Sequence, residues 1–523
     1  MKYTDITPLL TDYYQLSMVY IYWKTGRTEE LATFEMFFRK NPFGGEFTIN
    51  AGFEDVIKYL KNLKFTDNII ANLEEVLNIE KEDKEKFFKY LQSLDFKDVD
   101  ITFVEEGRVV FPRTPILSFT GKLPIVQLVE TTVLNLCNFS SLIATNASRM
   151  RLQEPKQLLL EFGLRRAQGP NGAMTASIYS YLGGFDGTSN LQAASLYNIP
   201  CVGTHAHSFV NSFTDNYLIK VKDLTLKNTN LWDSVLKIRE DNNWINTNIK
   251  ELAAFVSYAY GFPNNMLALV DTYDTLKSGV PNFLCVAIVL SNLGYTPHGI
   301  RLDSGDLAYL SKKTREMFNK IGEKYNIEHF KHLKIAASND IDEDVLRSLN
   351  DQGHEINIFG IGTNLVTCKK QPALGMVYKM VDCEDNSTLK LSEQIEKITI
   401  PGRKRVFRLY TTEGPFVDVM ITKDEMSPQI GKQFLCRHPF VEMKKMNVIP
   451  IQVEELTKTI KLKDHIEVPL IERRKKCIDE LSNFREDYKR SLNPTKYKVS
   501  ISDNLYRKMH YIIEKEAPIP TYN

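Results

Sequence analysis

Short polar clusters follow seven apolar runs in the middle of the chain, and they carry side chains suited to anion binding, metal binding and acid–base chemistry. Helix-like segments come after these clusters. The clusters are EFGLRR after 158–160, DGTSN after 181–185, GTHAHS after 201–202, DTYD after 267–270, RLDSGD after 299–300, SND after 333–337 and GIGTN after 356–359. Functional loops of parallel α/β folds follow the carboxyl ends of strands. The series therefore favours one shared site in an α/β barrel or an open parallel sheet.

The segment RLDSGD combines one guanidinium group with two carboxylates. Arg301 and Asp303 alternate along a predicted strand, so both side chains face the same way. Arginine binds carboxylate or phosphate through its planar fork, and aspartate can hold Mg²⁺ or accept from a sugar hydroxyl. These residues predict an anionic substrate that carries a metal. For Asp306 a structural alternative stays open, because an aspartate there also caps the next helix.

Glycine and histidine clusters offer phosphate and phosphoryl chemistry. Gly360 and Gly362 allow close backbone approach to a phosphate, with the Thr363 hydroxyl as a further donor; a simple tight turn is the alternative. His205 and His207 lie two residues apart and would share one face of a strand. A histidine beside an anion site can act as acid or base, or accept a phosphoryl group. The alternative is one core histidine and one surface histidine without a role.

The segment EFGLRR also offers a ring and two cations. Phe162 could stack on an aromatic ring, and Arg165 or Arg166 could bind a carboxylate or phosphate. A core phenylalanine with two surface arginines is the structural alternative. The tyrosines of TDYYQ near the start of the chain carry no argument by themselves.

Composition and charge are those of an ordinary globular protein. The 523 residues include 66 Lys and Arg against 65 Asp and Glu, so the net charge is +1. This balance excludes a globally basic nucleic-acid binder and an acidic solvating chain. Apolar residues make up 43% and charged residues 25%, which is enough apolar sequence to bury a large core.

Cysteine usage and hydropathy predict a cytosolic protein without a membrane span. The seven cysteines are scattered and show no C-x-x-C spacing, so we expect reduced thiols instead of a zinc site or a disulfide framework. The N-terminus lacks the basic and apolar regions of a signal peptide. The apolar run 283–290 is far shorter than the ~20 residues of a membrane span, so it predicts a buried strand or helix.

The pattern along the chain predicts two domains. Residues 1–155 read as an α/β domain with a strand over 31–38, helical periodicity over 66–96, strand-like alternation over 101–120 and a long helix over 122–151. Residues 156–374 read as the barrel, with an exposed insertion over 215–250. From about 375 the chain is strand-like again and then predicts a charged helix over 470–493, so residues 375–523 are expected to complete the first domain.

Eight motifs, in the right order along nearly the whole chain, resemble those of nicotinate phosphoribosyltransferases. They are TDYYQ (11–15), FEMFFRKNPFGGEF (34–47), EFGLRRAQGPNGA (161–173), GGFDGTSN (183–190), GTHAHSF (203–209), LVDTYDT (269–275), RLDSGDL (301–307) and GIGTNLVTC (360–368). The resemblance implies an irregular, TIM-like α/β barrel plus a second α/β domain built from the N-terminal region and the returning C-terminal segment. It also implies a homodimer with active sites at the subunit interface.

The activity that the resemblance implies joins nicotinate to 5-phosphoribosyl 1-pyrophosphate, which gives nicotinate mononucleotide and pyrophosphate. ATP would be a co-substrate whose hydrolysis is coupled through a phosphohistidine, and Mg²⁺ or Mn²⁺ would be the metal. The reaction is an entry step of NAD salvage. Its partners are small molecules, with neither nucleic acid nor membrane among them.

The resemblance assigns roles by motif position. His207 would be the phosphohistidine and Asp303 a second catalytic residue, and Asp271 or Asp303 would be the candidate Mg²⁺ ligands. The position of His205 is hydrophobic in some relatives, which implies no role for it. Nicotinate would contact Tyr14 of the partner subunit, Phe162, Arg165, Ser189, Thr204 and Arg301, and phosphoribosyl pyrophosphate would contact Asp271, Asp306, Gly362 and Thr363.

Ser189 bears on the choice of substrate. Related nicotinamide-using enzymes place an aspartate at this position, which can accept from a carboxamide but repels a carboxylate. A serine hydroxyl can instead donate to a carboxylate, so Ser189 favours nicotinate. The alternatives are a nicotinamide phosphoribosyltransferase and a non-catalytic nucleotide-binding homologue, and turnover of phosphoribosyl pyrophosphate separates the second from an enzyme.

Overall fold

The first third of the chain forms strands and helices where its apolar periodicity predicts them. The structure is a computed structural model that describes residues 6–516. The strands predicted near 31–38 and 101–120 and the helices predicted over 66–96 and 122–151 are confirmed, the last one interrupted at Val129. The strands are β1 (Leu31–Phe37), β2 (Thr48–Ile49), β3 (Asp100–Val104), β4 (Val109–Val110) and β5 (Leu117–Lys122). The helices are α1 (Tyr13–Lys24), α2 (Phe53–Lys61), α3 (Asp67–Val76), α4 (Lys81–Ser93), α5 (Leu123–Leu128) and α6 (Glu130–Gln153).

The middle of the chain alternates strands with helices. Side-chain caps start several of these helices; Asn190, Asn248 and Asp306 each accept from backbone N–H groups of the following turn. The strands are β6 (Leu158–Glu161), β7 (Gly187–Thr188), β8 (Thr225–Leu226), β9 (Thr229–Asn230), β10 (Leu267–Leu269), β11 (Gly299–Leu302), β12 (Lys334–Ser338) and β13 (Ile358–Ile361). The helices are α7 (Gly169–Leu182), α8 (Leu191–Tyr197), α9 (His207–Asn211), α10 (Asp215–Val221), α11 (Leu231–Asp241), α12 (Ile249–Gly261), α13 (Val280–Asn292), α14 (Leu307–Tyr325), α15 (Glu343–Gln352) and α16 (Thr363–Val366), and a π-helical turn covers Thr275–Gly279.

The last part of the chain is rich in strands, as its alternation predicts. The strands are β14 (Val377–Cys383), β15 (Asn386–Ser387), β16 (Lys404–Thr411), β17 (Gly414–Thr422), β18 (Phe434–Arg437), β19 (Lys445–Val448), β20 (Gln452–Glu455), β21 (Thr457–Lys461) and β22 (Lys498–Ser502). The helices are α17 (Leu470–Asn483), α18 (Glu486–Lys489) and α19 (Asp503–Glu516).

These elements form two units. The first consists of the chain up to Arg149, Leu182–Gly184 and the chain from Lys370 onward. The second consists of Met150–Tyr181 and Phe185–Lys369.

The first unit contains two six-stranded sheets that join early and late parts of the chain. One sheet has the order β15-β14-β1-β5-β3-β21 with antiparallel pairs throughout. The other has the order β19-β18-β22-β17-β16-β20, in which only β17 and β22 pair in parallel. Between β1 and β16, the buried carboxylate of Glu35 pairs with the ammonium group of Lys404 at 2.8 Å. The second domain expected from the N-terminal region and the returning C-terminal segment is therefore confirmed.

A buried cluster of charges links the β16–β17 hairpin to α17. The guanidinium group of Arg408 donates to both carboxylate oxygens of Asp418 at 2.8 Å and to the carbonyl of Val109 at 2.7 Å. It also pairs with Glu480, and the hydroxyl of Tyr497 donates to Asp418 at 2.9 Å. A buried charge is tolerated only when it is paired and hydrogen-bonded, so each member of this cluster depends on the others.

The second unit is an irregular α/β barrel, as expected. Its parallel sheet has the order β10-β11-β12-β13-β6-β7, and beyond β7 Thr188 pairs in parallel with Cys201. Side chains close the ring. The Thr204 hydroxyl donates to the carbonyl of Leu267, and the N–H of Leu269 donates to Nε2 of His205 at 3.2 Å. The segment 201–205 thus fills the gap between β7 and β10.

Apolar side chains from four strands fill the barrel. Leu160, Leu267, Ala336 and Ile358 form one buried cluster, and the ring of Phe162 packs against it. Because these residues belong to β6, β10, β12 and β13, the cluster lies inside the ring. Three strands, β11, β12 and β13, end at the predicted polar clusters RLDSGD, SND and GIGTN.

Three predicted elements are wrong in detail. No strand forms over 181–185, and the next strand is β7. The helix α7 extends as far as Leu182, and the positive φ of Gly184 (+112°) then prevents it from continuing. The insertion over 215–250 is not wholly exposed, since Leu231, Trp232 and Val235 of α11 are buried and α11 packs against α13. The helix expected over 470–493 ends at Asn483, where the buried side chain of Phe484 turns the chain inward.

The apolar run 283–290 is the centre of the buried helix α13. Within residues 6–516, no helix combines the length and the apolar character needed to cross a membrane. All seven cysteines are free thiols in the structure.

Replacing Arg408 tests the buried charge cluster. Arg408→Leu leaves the carboxylate of Asp418 buried without its cation, while Glu480 keeps its ion pair with Arg108. We therefore expect the free energy of unfolding to fall by about 3–5 kcal/mol. Arg405→Leu is the matched control from the opposite face of β16, because Arg405 and its partner Glu455 are partly exposed; the expected loss there is about 0–1 kcal/mol. Urea denaturation of both variants measures the difference, and equal losses would contradict the role of burial.

Candidate active site

The carboxyl ends of the barrel strands bring the predicted residues of the middle of the chain to one rim. Phe162 follows β6, Ser189 follows β7, Asp271 follows β10 and Asp303 follows β11. Thr363 follows β13. Because the strands run in parallel, these side chains come together although the chain separates them by up to two hundred residues.

His207 faces two carboxylates across the rim. Its Nδ1 lies 3.1 Å from the hydroxyl oxygen of Thr272, within hydrogen-bonding distance. Its Nε2 lies 3.7 Å from Oδ2 of Asp303 and 3.9 Å from Oδ1 of Asp271. The imidazole is 41% exposed, so a substrate can reach it. The arrangement suits a histidine that accepts a group or a proton while carboxylates stabilise its positive charge.

The expectation that His205 and His207 share one face of a strand is wrong. His207 is the first residue of α9 and does not lie in a strand. His205 is buried against Phe209 and Tyr258, and its Nε2 accepts the N–H of Leu269. Burial lowers the pKa of His205 to about 4, so this imidazole is neutral at physiological pH. His205 is therefore the core histidine of the structural alternative.

Asp271 and Asp303 are held in place by donors from neighbouring strand ends. Oδ2 of Asp271 accepts the N–H of Asp303 at 3.1 Å and the hydroxyl of Ser304. Oδ1 of Asp271 is buried and has no hydrogen-bond partner within residues 6–516. A buried unpaired carboxylate oxygen is costly, so this atom is ready for a cation or a hydroxyl donor.

Arg301 lies between an aromatic ring and a carboxylate. Its Nε donates to the hydroxyl of Ser338 at 2.8 Å, and its Nη2 donates to Asp303 at 3.1 Å. Ser338 in turn donates to the same carboxylate. The guanidinium carbon is 5.6 Å from the ring centroid of Phe162. In the part of the chain that the structure describes, nothing accepts from Nη1, which leaves that group for an anionic ligand.

Ser189 lies beside Phe162 at the same rim. Its N–H donates to the carbonyl of Glu161 at 3.0 Å, and its hydroxyl approaches the same carbonyl at 3.4 Å. This second contact is long for a hydroxyl donor, so the hydroxyl can turn to a ligand at little cost. Thr204 is committed more firmly, because its hydroxyl donates to the carbonyl of Leu267.

The segment after β13 presents glycines and a short helix. A Cβ atom at Gly360 would come within 2.4 Å of the Phe162 ring, so only glycine lets the ring lie there. Gly362 precedes Thr363, which begins α16, and its carbonyl accepts from the helix. The amide of Asn364 donates to the carbonyl of Asp340 at 2.9 Å and so ties this turn to the loop after β12.

Three predicted residues make none of these hydrogen bonds. Asp306 is the N-cap of α14 and accepts the N–H of Tyr309 at 2.9 Å, which is the structural alternative stated for it. Arg165 is exposed in the turn Leu164–Arg166. Tyr14 belongs to α1 of the first unit, where its side chain is 47% exposed.

The carboxylates of the rim bear on the metal expected from the resemblance. No cluster of three or more His, Cys, Asp or Glu residues suited to holding a metal ion exists within residues 6–516. Mg²⁺, however, usually keeps several waters and is bound by one or two carboxylates together with substrate phosphates. The unpaired Oδ1 of Asp271 and the adjacent Asp303 fit a cation that arrives with its substrate.

Comparison with known proteins reveals the family. The models of the nicotinate phosphoribosyltransferase (NAPRTase) N-terminal domain, family and C-terminal domain match residues 9–138, 287–434 and 403–509. Nicotinate phosphoribosyltransferase of Dictyostelium discoideum is 48% identical over 98% of this chain and 89% of its own. Nicotinate phosphoribosyltransferase 1 of Arabidopsis thaliana is 47% identical over 98% of this chain and 95% of its own.

The chain belongs to the nicotinate phosphoribosyltransferase family. The crystal structure of human nicotinic acid phosphoribosyltransferase is 36% identical, covers 96% of this chain and 99% of its own, and superimposes with a TM-score of 0.86. The resemblance and the fold class expected from the motifs are therefore confirmed.

Sequence reasoning missed two residues of this nicotinate phosphoribosyltransferase-family site, and also a buried carboxylate whose charge interacts with that of Asp271. Thr272 and Ser338 lie inside the polar clusters DTYD and SND, so their clusters were found and their contacts were not. Glu251 of α12 gave no signal, because its partners Ser278 and Asn282 lie about thirty residues away. Burial raises the pKa of Glu251 to about 7, and the charges of Asp271 and Asp274 add to that effect.

Proposed function

We propose that this protein joins nicotinate to 5-phosphoribosyl 1-pyrophosphate, giving nicotinate mononucleotide and pyrophosphate in NAD salvage. Family membership supports the reaction class. The observation that carries the choice of substrate is the grouping of Arg301, the Phe162 ring and the Ser189 hydroxyl at one rim of the barrel. A cation, a ring and a hydroxyl donor together suit a flat aromatic acid.

Positioning is the main work of these residues in the proposed reaction. The pyridine nitrogen of nicotinate is already nucleophilic at neutral pH, so little acid–base chemistry is needed. Phe162 fixes the ring plane and Arg301 holds the carboxylate, with Ser189 and Thr204 as further polar contacts. Holding two reactants in line in this way removes much of the entropic cost of the encounter.

Charge control at the anomeric carbon falls to the carboxylates of the rim. As pyrophosphate leaves, the ribose ring gains oxocarbenium character, and Asp303 stabilises that positive charge. Asp271 and Asp306 accept from ribose hydroxyls. Gly362 and Thr363 bind the 5-phosphate through N–H groups and a hydroxyl. Arg165, in its exposed turn, contributes a further positive charge near the nicotinate carboxylate.

Mg²⁺ or Mn²⁺ belongs to the proposed reaction as part of the substrate complex. Asp271 or Asp303 would hold the metal, which would supply positive charge beside the leaving pyrophosphate. The unpaired buried oxygen of Asp271 supports this assignment.

His207 is the proposed phosphoryl acceptor for ATP. Its exposed Nε2 faces two carboxylates, and Thr272 orients the ring from the other side. The ring nitrogen of nicotinate needs no base, so a histidine at this rim is better explained by phosphoryl transfer than by proton transfer. ATP hydrolysis is thereby coupled to synthesis.

The working form in this proposal is a cytosolic homodimer. The exposed ring of Tyr14 is available to stack on nicotinate bound in the partner subunit, opposite the Phe162 ring. Seven free thiols are consistent with a reducing compartment.

Release of pyrophosphate tests the function directly. The purified protein, Mg²⁺ and phosphoribosyl pyrophosphate are incubated with nicotinate or nicotinamide, each with and without ATP. We expect release with nicotinate and an increase on adding ATP. Release with nicotinamide and not with nicotinate would contradict the choice of substrate. No release with either compound would indicate a binding protein without this activity.

Ser189→Asp tests the choice of nicotinate. The new carboxylate would repel the substrate carboxylate and lie beside the buried Glu161. We therefore expect kcat/KM for nicotinate to fall by about tenfold to a hundredfold. Ser189→Ala, which removes the hydroxyl without adding charge, is the control and should lose less. Steady-state kinetics of both variants with nicotinate measure the loss. Unchanged nicotinate kinetics in the aspartate variant would contradict the role given to Ser189.

His207→Ala tests the ATP coupling. Without the imidazole the variant should retain some synthesis of the mononucleotide but lose its stimulation by ATP. The control is His332→Ala, which removes an exposed imidazole of the same unit that lies away from the rim. Initial rates at increasing ATP concentration measure the effect, and full stimulation of the His207 variant would exclude the phosphohistidine.

A further inference from the structure

A fully buried carboxylate lies directly behind the proposed nicotinate site. Glu161 is the last residue of β6 and precedes Phe162, and its side chain has no exposed surface. Within residues 6–516, no cationic side chain forms an ion pair with it. Its charge is balanced by hydrogen bonds, which is the alternative open to a buried carboxylate.

Three donors from three different segments converge on this carboxylate. The hydroxyl of Thr188 donates to Oε2 at 2.6 Å, and the hydroxyl of Ser177 donates to the same oxygen at 2.8 Å. The N–H of Gly163 donates to Oε1. An ionised carboxylate only accepts, and the Gly163 N–H can only donate, so the ionised form satisfies every bond.

The same residue also fixes the chain that carries Ser189. The carbonyl of Glu161 accepts the N–H of Ser189, and Thr188 accepts the N–H of Asn190 at 3.0 Å. The amide of Asn190 donates to Ser177 at 3.1 Å, which closes the network. The backbone carbonyl and the side chain of Glu161 therefore both hold the turn after β7.

The turn after Phe162 has no room to compensate for a loss of this anchor. A Cβ atom at Gly163 would come within 2.3 Å of the Val366 side chain, so the chain passes close to α16. The Gly163 N–H is thus directed at Glu161 by packing as well as by the hydrogen bond. A shift of the carboxylate would therefore disturb a hydrogen bond to each of the two turns, the one at Gly163 and the one at Thr188.

We infer that Glu161 is a positioning residue that sets the spacing between the Phe162 ring and the Ser189 hydroxyl. The inference rests on the proposed function, because it assigns those two side chains to nicotinate. Glu161 touches no substrate atom itself. Its role is to keep a ring contact and a carboxylate donor at the separation that one aromatic acid requires.

Kinetics of Glu161→Gln test the inference. The amide keeps the shape but replaces one acceptor by a donor, so one of the three bonds must break. We expect KM for nicotinate to rise about tenfold, the effect of losing one hydrogen bond to a charged group, and KM for phosphoribosyl pyrophosphate to change less than about twofold. A general loss of structure would change both constants.

Glu154→Gln is the matched control from the segment that precedes the same strand. Glu154 is also buried and accepts the N–H groups of Lys156 and Gln157 at 3.3 Å and 3.2 Å. This variant should be destabilised to a similar extent and leave both KM values unchanged. If the two variants shift nicotinate KM equally, or if neither shifts it, the positioning role is wrong.

Thr188→Val and Thr188→Ser keep the test decisive if Glu161→Gln does not fold. Valine removes the hydroxyl that donates to Glu161, and serine retains it. Nicotinate KM should rise in the valine variant and return in the serine variant; equal values would overturn the inference. The wild-type protein distinguishes failure of the proposed function from failure of this inference. If the wild type does not turn over nicotinate, the proposed function is wrong and the inference falls with it. If the wild type is active and the variants behave alike, only the inference is wrong.

Discussion

Parallel strand direction is the constraint on which the site depends. Every strand of the barrel runs the same way, so the loops that follow them share one rim. Residues as distant in the chain as Phe162 and Thr363 meet there. The ring also has to close, and it does so through the side chains of Thr204 and His205 instead of a strand ladder. His205, two residues before the proposed phosphoryl acceptor His207, is therefore part of the barrel wall.

Hydrogen bonds among partly buried polar groups hold the rim together. Asp303, Arg301 and Ser338 bond to one another, and Asp271 accepts from the next strand end. Partial burial makes these bonds costly to lose, because a polar group that is shielded from water and left unpaired keeps part of its desolvation penalty. The same physics acts in the first unit, where Arg408 holds two carboxylates away from water. In both units, paired charges join segments that are distant in the chain.

Most of the fold follows from local pattern. Apolar runs that end in polar clusters located β6, β10, β11, β12 and β13 within a few residues. The pattern failed where a neighbouring element decides the outcome. Two glycines after α7 delay the next strand to 187, and burial of Phe484 ends α17 before the charge pattern does. The helix α11 looks like part of an exposed insertion until its packing against α13 is known.

The sequence by itself determined the family, the barrel and the identity of most rim residues, because motif spacing and strand periodicity are local properties of a chain. Only the tertiary structure decided which polar residues face one another. His205 and His207 are almost adjacent, yet one is buried and neutral while the other is exposed between two carboxylates. Thr272, Ser338 and Glu161 acquire their partners across strands. Burial and hydrogen-bond geometry arise from the packed barrel, and no short stretch of sequence contains them.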